Sequence, residues 1–519
     1  MSAIVGLIAP DLEPESRQKT LSAMAALIRY RGNEAFSGWV CDDAPLALGI
    51  HALSTIDLTP DGVQPAILGS HKIVAVLDGY IANAPTLRRE LEEKNIKLKG
   101  HGDAELLAAC AAEYGLNRLL QKLEGAFAFA LWDGNTGALH LVRDRMGIKP
   151  LYVYRFKHST AFASDPVAFK ALSAYKPALD TESVKEYLAH GLVTAPATVL
   201  KDVTCVAPGH RIMLNAADTG LKTPEAWWSP AAALEESALR DAVANDNASR
   251  IDQLYKTLAS ESARTDIHLA MLDISAAESR RLQSLVNVDA PTASQAPDAV
   301  TVQTAFDSIM QLGLPHSNPA ALHIWARTNK DPCVLLAATE SAAQSNQGTG
   351  MAMPRPLRRM ATALLPRYFA NADARDAYKN QHTLWDTGFI PDWSTPRIPM
   401  SENARTAYYN FCHAFIGRDV PMLDAIASAK GNELRLPWAD RRLLEYALPA
   451  PIPPEGDIAN WLRGPLRIRL QNAVRAHNIL GLPDLPETVQ KFLAGDNNSA
   501  RKLWAYLTLA AWANAHRLL

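Results

Sequence analysis

Residues 123–133 read Leu-Glu-Gly-Ala-Phe-Ala-Phe-Ala-Leu-Trp-Asp, and the turn that follows leads into Ala-Leu-His-Leu-Val at 138–142. Two apolar runs of high strand propensity, joined by Asp133-Gly134-Asn135, predict a β-hairpin. Further short apolar runs predict buried strands at 3–8, 73–77, 151–154 and 161–164, and helical spacing of apolar residues predicts a helix over 103–112. This mixture is typical of a layered α/β sandwich.

The composition describes a globular chain with no strong electrostatic bias. Its 519 residues exceed one ordinary domain, so two domains are expected. Apolar residues make up 48% and charged residues 20%, and the net charge of −2 gives no reason to expect a nucleic acid or an anionic membrane as partner. Five scattered cysteines without paired spacing favour reduced thiols over disulfides or a zinc site. With no leader-like segment or membrane-length apolar run, a cytoplasmic location is expected.

Composition changes beyond residue 210 and indicates a second domain. The stretch from 235 to 261 is Ala-rich and helical in pattern, and helices predominate from there onward. Two short apolar runs, 267–272 and 333–336, are the strand candidates, and 286–304 has the composition of a loop. We therefore expect one domain over 1–210, a linker over 211–230 and a second domain over 231–519.

Several segments together carry a family resemblance. They are Leu-Ser-Thr-Ile-Asp-Leu at 53–58, the run at 123–133, Arg-Asp-Arg-Met-Gly-Ile-Lys-Pro-Leu-Tyr at 143–152, Phe-Ala-Ser-Asp at 162–165 and Glu-Leu-Arg-Leu-Pro-Trp-Ala-Asp at 433–440. In these segments the chain resembles the glutamine-hydrolysing asparagine synthetases. The resemblance implies an N-terminal class II glutamine amidotransferase domain with the Ntn-type αββα sandwich. It also implies a largely helical α/β domain of the ATP-pyrophosphatase (adenine nucleotide α-hydrolase-like) type after it.

The first reactive position of that family is altered. The resemblance implies an N-terminal Cys that attacks the glutamine side-chain amide, with its own α-amine as base, after the initiator Met is removed. This chain has Ser2 there. A hydroxyl is far less acidic than a thiol, so Ser2 is at most a residual candidate nucleophile, and an ordinary exposed serine is the simpler interpretation.

The glutamine pocket implied by the resemblance is altered as well. Ala52 stands where the family has an Arg that clamps the substrate carboxylate. The family's Asn-Gly-Glu turn reads Asp78-Gly79-Tyr80, which places a negative charge where an oxyanion would develop and removes a carboxylate partner of the substrate amine. Asp78, Gly79 and Asp103 are therefore pocket remnants. A turn glycine at Gly79 and a helix N-cap at Asp103 are the simpler structural interpretations.

The nucleotide loop is degenerate in the same way. The family's Ser-Gly-Gly-x-Asp-Ser run corresponds to Ile-Ser-Ala-Ala-Glu-Ser at 274–279, where side chains replace the glycines that let backbone N–H groups approach pyrophosphate. Glu278 and Ser279 are the remnants. The second acidic loop, at 337–343, has also lost its glycines and aligned acids. We expect no cofactor and no metal site.

Three functions remain open at this point. The favoured hypothesis is a non-catalytic pseudoenzyme that acts as partner or scaffold subunit, in a homodimer or in a heteromer with an active paralogue. The second is an amide-forming ligase of altered chemistry that would use ATP and Mg²⁺. The third is a small-molecule sensor with a remodelled pocket around Asp78, Tyr80 and Asp103.

Overall fold

The computed structural model describes most of both predicted domains. The described residues are 2–69, 72–215, 223–233, 247–272, 274–286, 288, 298–328, 332–337, 383–387, 402–444, 448, 451–452, 456–476, 479–482 and 484–519. None of the described helices is both long enough and apolar enough to cross a bilayer.

The N-terminal region contains two six-stranded sheets. Their strands are β1 (Ala3–Ile8), β2 (Phe36–Val40), β3 (Leu46–His51), β4 (Ala66–Leu68), β5 (Ile73–Ile81), β6 (Gly125–Asp133), β7 (Ala138–Arg143), β8 (Tyr152–Phe156), β9 (Ser159–Ala163), β10 (Val203–Cys205), β11 (His210–Asn215) and β12 (Glu225–Ala226). The first sheet has the order β10-β8-β9-β1-β3-β2 and the second β12-β11-β7-β6-β5-β4. All their pairings are antiparallel. The predicted hairpin is confirmed as β6–β7, in which Asp133 pairs with Ala138.

Helices cover the outer faces of the two sheets. The helices of this region are α1 (Pro14–Leu27), α2 (Ala84–Glu93), α3 (Asp103–Tyr114), α4 (Leu116–Lys122) and α5 (Thr181–His190). Helix α1 packs on β1–β3, and α3 packs on β4 and β5. Alternate residues of β1 follow this layering, since Val5 faces the α1 side while Ile4 joins the core between the sheets. The predicted αββα sandwich is thus confirmed.

The predicted linker at 211–230 is in part sheet. Residues of β11 pair with β7, with Ile212 opposite Leu141, and β12 pairs with β11 in turn. Ile212 and Leu214 are buried between the sheets. The run Arg-Ile-Met-Leu-Asn at 211–215, three apolar residues between two polar ones, indicates this strand, which a composition-based boundary overlooks.

The second region contains a small parallel sheet surrounded by helices. Strands β13 (Leu269–Leu272), β14 (Val334–Ala337) and β15 (Glu433–Arg435) lie in that order. The helices are α6 (Asn247–Ser262), α7 (Ala276–Gln283), α8 (Ala299–Ile309), α9 (Ala320–Arg327), α10 (Glu402–Tyr409), α11 (Val420–Ala429), α12 (Arg441–Leu444), α13 (Ile458–Arg463), α14 (Arg467–Ala476), α15 (Leu485–Leu493) and α16 (Ala500–Ala515). A π-helical segment, Asn410–Asp419, joins α10 to α11. Parallel strands with helical crossovers agree with the predicted α/β domain.

Two local predictions are wrong. The strand predicted to end before a turn at Asp78-Gly79 continues to Ile81, because β6 pairs with β5 along its whole length. The loop predicted over 286–304 ends earlier, since α8 begins at Ala299 with the Asp298 carboxylate accepting the Thr301 N–H. Residues 287 and 289–297 lie outside the described residues, as do 235–246 of the predicted helix at 235–261.

The last helix, α16, joins the two regions. Trp504, Leu507 and Trp512 are buried, as their helical spacing predicts, and Trp512 donates its Nε1–H to the Leu312 carbonyl at 2.9 Å. Thr508 on the same helix is 3.0 Å from the Tyr187 hydroxyl of α5. The helix therefore belongs to the core of the whole chain.

Replacement of Trp512 by Ala is expected to lower the free energy of unfolding by about 3–5 kcal/mol, because it leaves a cavity and an unpaired carbonyl. Denaturant titration followed by circular dichroism measures the change. Arg501→Ala, at an exposed position of the same helix, is the control and is expected to change stability by less than about 0.5 kcal/mol. Equal effects of the two substitutions would contradict the placement of α16 in the core.

Candidate functional site

Ser2 lies directly before β1 and is buried, with 4% of its surface exposed. Its backbone nitrogen donates to Asp78 Oδ1 at 2.7 Å, and its Oγ accepts the Leu53 N–H at 3.2 Å. The interpretation of Ser2 as an ordinary exposed serine is therefore wrong. Ser2, the residue that the resemblance implies as nucleophile, is thus hydrogen-bonded through both its hydroxyl and its backbone nitrogen. The nitrogen donates to a carboxylate.

Asp78 is fully buried in β5 and forms one end of a three-residue ionic bridge. Its Oδ2 accepts from Arg31 Nη2 at 3.2 Å, and the same nitrogen donates to Asp424 Oδ2 at 3.0 Å. Burial alone would lower the pKa of Arg31, but Asp424 and Asp78 raise it well above its usual value, so the guanidinium is charged. Since Asp424 lies on α11 of the second region, this bridge crosses the domain junction.

A second buried cation reinforces the same junction. Lys149 has no exposed surface, and its Nζ donates to the Leu434 carbonyl at 3.2 Å. The ammonium also lies 3.6 Å from Asp424 Oδ1. Two cations of the N-terminal region thus converge on one carboxylate of the second region, and each charged group has an opposite charge beside it.

Asp103, the second pocket carboxylate, is engaged by an arginine from the second region. Arg264 Nη2 lies 2.7 Å from Asp103 Oδ2 and 3.0 Å from Oδ1, and it also donates to the Ile81 carbonyl at 2.8 Å. Asp103 Oδ2 accepts the Ile81 N–H as well, at 2.8 Å. Gly102 holds the N-cap position of α3, so Asp103 is the first helical residue and the predicted N-cap is displaced by one position.

Tyr80 fills space at the junction between the two regions. Its hydroxyl is 3.1 Å from Ser262 Oγ, and Arg435 lies over its ring with the guanidinium carbon 4.2 Å from the centroid. Burial raises the pKa of Tyr80 to about 12, so the phenol is neutral. The side chain that replaces the family's glutamate is thus a packing element of the interface.

Arg435 also binds the buried Glu433, through Nε and Oε1 at 2.6 Å. Burial opposes ionisation of Glu433, but the charges of Arg435 and Lys149 outweigh it and lower the pKa of that carboxyl to about 2. Glu433 Oε2 in turn accepts from Thr55 Oγ1 at 3.2 Å. Through Glu433, strand β15 is therefore hydrogen-bonded to the loop that contains Thr55, which lies beside Ser2.

Gly79 has a stereochemical role within β5. Its φ is +105°, and a Cβ there would lie 2.0 Å from the Ala126 carbonyl oxygen. Glycine is therefore required by the close approach of β6 and not by a turn. Its proximity to Ser2 does not by itself indicate function.

Little space remains beside Ser2. The cavity lined by Ser2, Leu53, Gly79 and Asp103 measures about 30 Å³. Ligand pockets usually measure roughly 300 Å³ or more, whereas this volume suits one or two water molecules. Ala52, at the position of the family's substrate clamp, packs into the core between the sheets and offers no charge.

The nucleotide-loop remnants do not form an anion site among the described residues. Ile274, which lies between β13 and α7, packs against the hydrophobic core. Ser279 is 1% exposed, and Glu278 lies 4.0 Å from Arg281 on the same helix. Strand β13 is followed by helix α7, as the resemblance implies, but the side chain of Ile274 between them packs against the hydrophobic core. Of the altered acidic loop at 337–343, residues 338–343 lie outside the described residues.

Sequence reasoning missed the residues that contact the remnants. Lys149 lies in a segment that carries the resemblance, but its partners come from a distant part of the chain. Asp424 and Arg264 have no recognisable motif around them. Only the packing of the two regions brings these charges together.

Comparison with known proteins agrees with this geometry. A family model described as a glutamine amidotransferase domain matches residues 1–228. Amidase chry2 of Gibberella zeae is 31% identical over 206 residues, covering 39% of this chain and 30% of that protein. The glutamine-hydrolysing asparagine synthetase 1 of Bacillus subtilis is 29% identical over 206 residues, covering 40% and 32%. The chain thus spans about a third of the length of these curated relatives.

A solved structure of the allosteric regulatory enzyme of purine biosynthesis aligns over 69% of this chain and 77% of that one, with 15% identity and a TM-score of 0.34. The family match covers the two sheets and includes β11 and β12, which the pairing with β7 also assigns to the sandwich. Residues 1–228 match a glutamine amidotransferase domain, and over this region the chain is similar to glutamine-hydrolysing asparagine synthetases.

Proposed function

We propose that this protein is a non-catalytic relative of the glutamine-hydrolysing asparagine synthetases that acts as a partner or scaffold subunit. The observation that carries the proposal is that both carboxylates of the former glutamine pocket bind arginines of the chain itself. Asp78 pairs with Arg31, and Asp103 pairs with Arg264. At each carboxylate, a guanidinium of the chain already occupies the place that the ammonium group of a substrate would take.

The nucleophile position supports the same conclusion. An N-terminal nucleophile is activated by its own α-amine. At Ser2 the nucleophile would be a hydroxyl, which is far less acidic than a thiol, and the Ser2 nitrogen lies 2.7 Å from Asp78 Oδ1. The negative charge of Asp78 beside this position also disfavours an oxyanion.

The second region gives no support for nucleotide chemistry. Among the described residues between β13 and α7, Ile274 packs against the core and Ser279 is buried, so neither is offered to a phosphate. We therefore propose neither ATP nor Mg²⁺ as a cofactor. An amide-forming ligase would need both.

An exposed apolar surface supports the partner role. Leu58, Val63 and Ile67 are 58%, 56% and 54% exposed and lie close together in the chain. Ile67 belongs to β4, which has a neighbour on one side only among the described strands. An edge strand with apolar side chains is a typical site for association with another chain. We propose that this edge surface, Leu58, Val63 and Ile67, binds a second copy of the chain or a homologous amidotransferase domain.

The purified protein is expected to release no ammonia from glutamine, and Ser2→Cys is expected to be equally inactive. The thiol restores nucleophilicity, but no group clamps the substrate carboxylate and the cavity is too small. Ammonia release, measured by a coupled dehydrogenase assay, tests both, and Ser2→Ala provides the background. Turnover by the Cys variant above that background would overturn the account of the pocket.

A double-mutant cycle at Asp103 and Arg264 tests whether the pocket carboxylate has become structural. We expect a coupling energy of about 1–3 kcal/mol in unfolding titrations, because either single change to Ala leaves a largely buried partner unpaired. Glu487 and Lys491, an exposed pair on α15, are the matched control, with an expected coupling of less than about 0.5 kcal/mol. A coupling near zero at Asp103–Arg264 would show that the carboxylate remains free for other partners.

Ile67→Glu is expected to abolish association through the edge surface, since it places a charge within an apolar contact. Light scattering coupled to gel filtration measures the mass of the chain alone, and co-elution with an added homologue that has an N-terminal Cys measures the heteromer. Val300→Glu, at an apolar position that is 71% exposed on α8, is the control and is expected to leave both unchanged. Equal association of the two variants would exclude the edge surface.

A further inference from the structure

Helix α14 presents an exposed face that combines positive charge with an apolar side chain. The stretch 458–483 contains four arginines and no acidic residue, although the net charge of the whole chain is −2. On α14 itself Arg467, Ile468 and Arg475 are exposed, whereas Leu470 is fully buried. Since Arg475 follows Ile468 by two helical turns, the two side chains lie on the same side of the helix.

Two of the four arginines are engaged within the chain. Arg463 donates to the Phe492 carbonyl at 3.0 Å, and its guanidinium carbon lies 4.3 Å from the centre of the Phe492 ring. Arg469 Nη2 lies 2.6 Å from Asp307 Oδ2 on α8. In contrast, neither Arg467 nor Arg475 has a carboxylate partner in the part of the chain that the structure describes.

The exposed face departs from local preference in two ways. Arg467 lies in the first turn of α14, which holds no acidic residue, and the helix dipole disfavours a cation there. Ile468 in the same turn leaves 71% of its surface in water. Departures of this kind that no contact within the described chain compensates are expected where a surface has a function.

We propose that this arginine face, Arg467, Ile468 and Arg475, is a docking surface for an acidic segment of a partner protein. Carboxylates of the segment pair with the two guanidinium groups, and an apolar side chain of the segment covers Ile468. Two unpaired arginines are fewer than the clusters of basic residues that hold a protein on anionic lipid, so a protein segment is favoured over a membrane.

This docking rests on the proposed role as a partner subunit, but it uses the second region and not the edge surface of the N-terminal sandwich. Glutamine turnover, measured separately by ammonia release, reports on the proposed loss of catalysis and does not depend on α14. Failure of that part of the proposed function is therefore distinguishable from failure of the docking.

The probe is a fluorescein-labelled helical peptide with leucines along one face and glutamates beside them, and the control peptide has lysine in place of each glutamate. Fluorescence anisotropy with the full chain is expected to show saturable binding of the glutamate peptide, weakened roughly threefold or more by high salt, because exposed charge pairs are screened. The lysine peptide is expected not to bind.

Three outcomes of this titration would overturn the proposal. They are no saturable binding of the glutamate peptide, equal binding of the lysine peptide, and attachment of the chain to phosphatidylserine vesicles without binding of the glutamate peptide. The last outcome would assign the arginine face to a membrane.

Matched variants locate the binding. Arg467→Glu combined with Arg475→Glu reverses the charge of the arginine face and is expected to weaken peptide binding at least tenfold. Arg89→Glu, at an exposed arginine of α2, is expected to retain binding. Ile468→Ser is expected to weaken binding at least threefold, whereas Ile67→Glu, at the edge surface, leaves it unchanged. Circular dichroism confirms folding of each variant. Unchanged affinity of the double variant, or an equal loss in Arg89→Glu, would refute the assignment to α14.

Discussion

Arg31 holds the structure together at its most constrained point, because one nitrogen of its guanidinium binds both Asp78 and Asp424. All three side chains are almost completely removed from water. Loss of any one of them would leave an uncompensated buried charge, which is strongly destabilising. The relative placement of the two regions therefore depends on this bridge, and the contacts of Lys149 and Glu433 are arranged around it.

The proposed loss of glutaminase activity rests on the same constraint. A binding carboxylate must be free when the ligand arrives, whereas Asp78 and Asp103 are each paired with an arginine of the chain. In this chain both carboxylates therefore contribute to the packing of the two regions. Tyr80 also contributes to this junction, because its ring packs against the guanidinium of Arg435.

The junction is not equally tight along its length. Around Ser2 and Asp78 it is polar, ion-paired and nearly solid, but between α5 and the π-helical segment it opens into a cavity of about 260 Å³. A π-helical segment widens the helix and often marks a functional position. The larger of these two spaces therefore lies between the two regions and not beside Ser2.

The sequence by itself indicated the αββα sandwich, two of the three strands of the parallel sheet and the altered residues at the positions where the resemblance implies reactive groups. These features depend on local patterns, such as the alternation in 123–142, and on single positions such as Ser2, Ala52 and Ile274. The continuation of β5 through Gly79 and the β11 edge were decided by pairing with neighbouring strands. Only the tertiary structure decided the partners of Asp78 and Asp103, because Asp424 and Arg264 are distant in the chain and carry no local signal. Ion pairs between distant residues arise from the packing of whole domains, and a linear pattern does not contain that information.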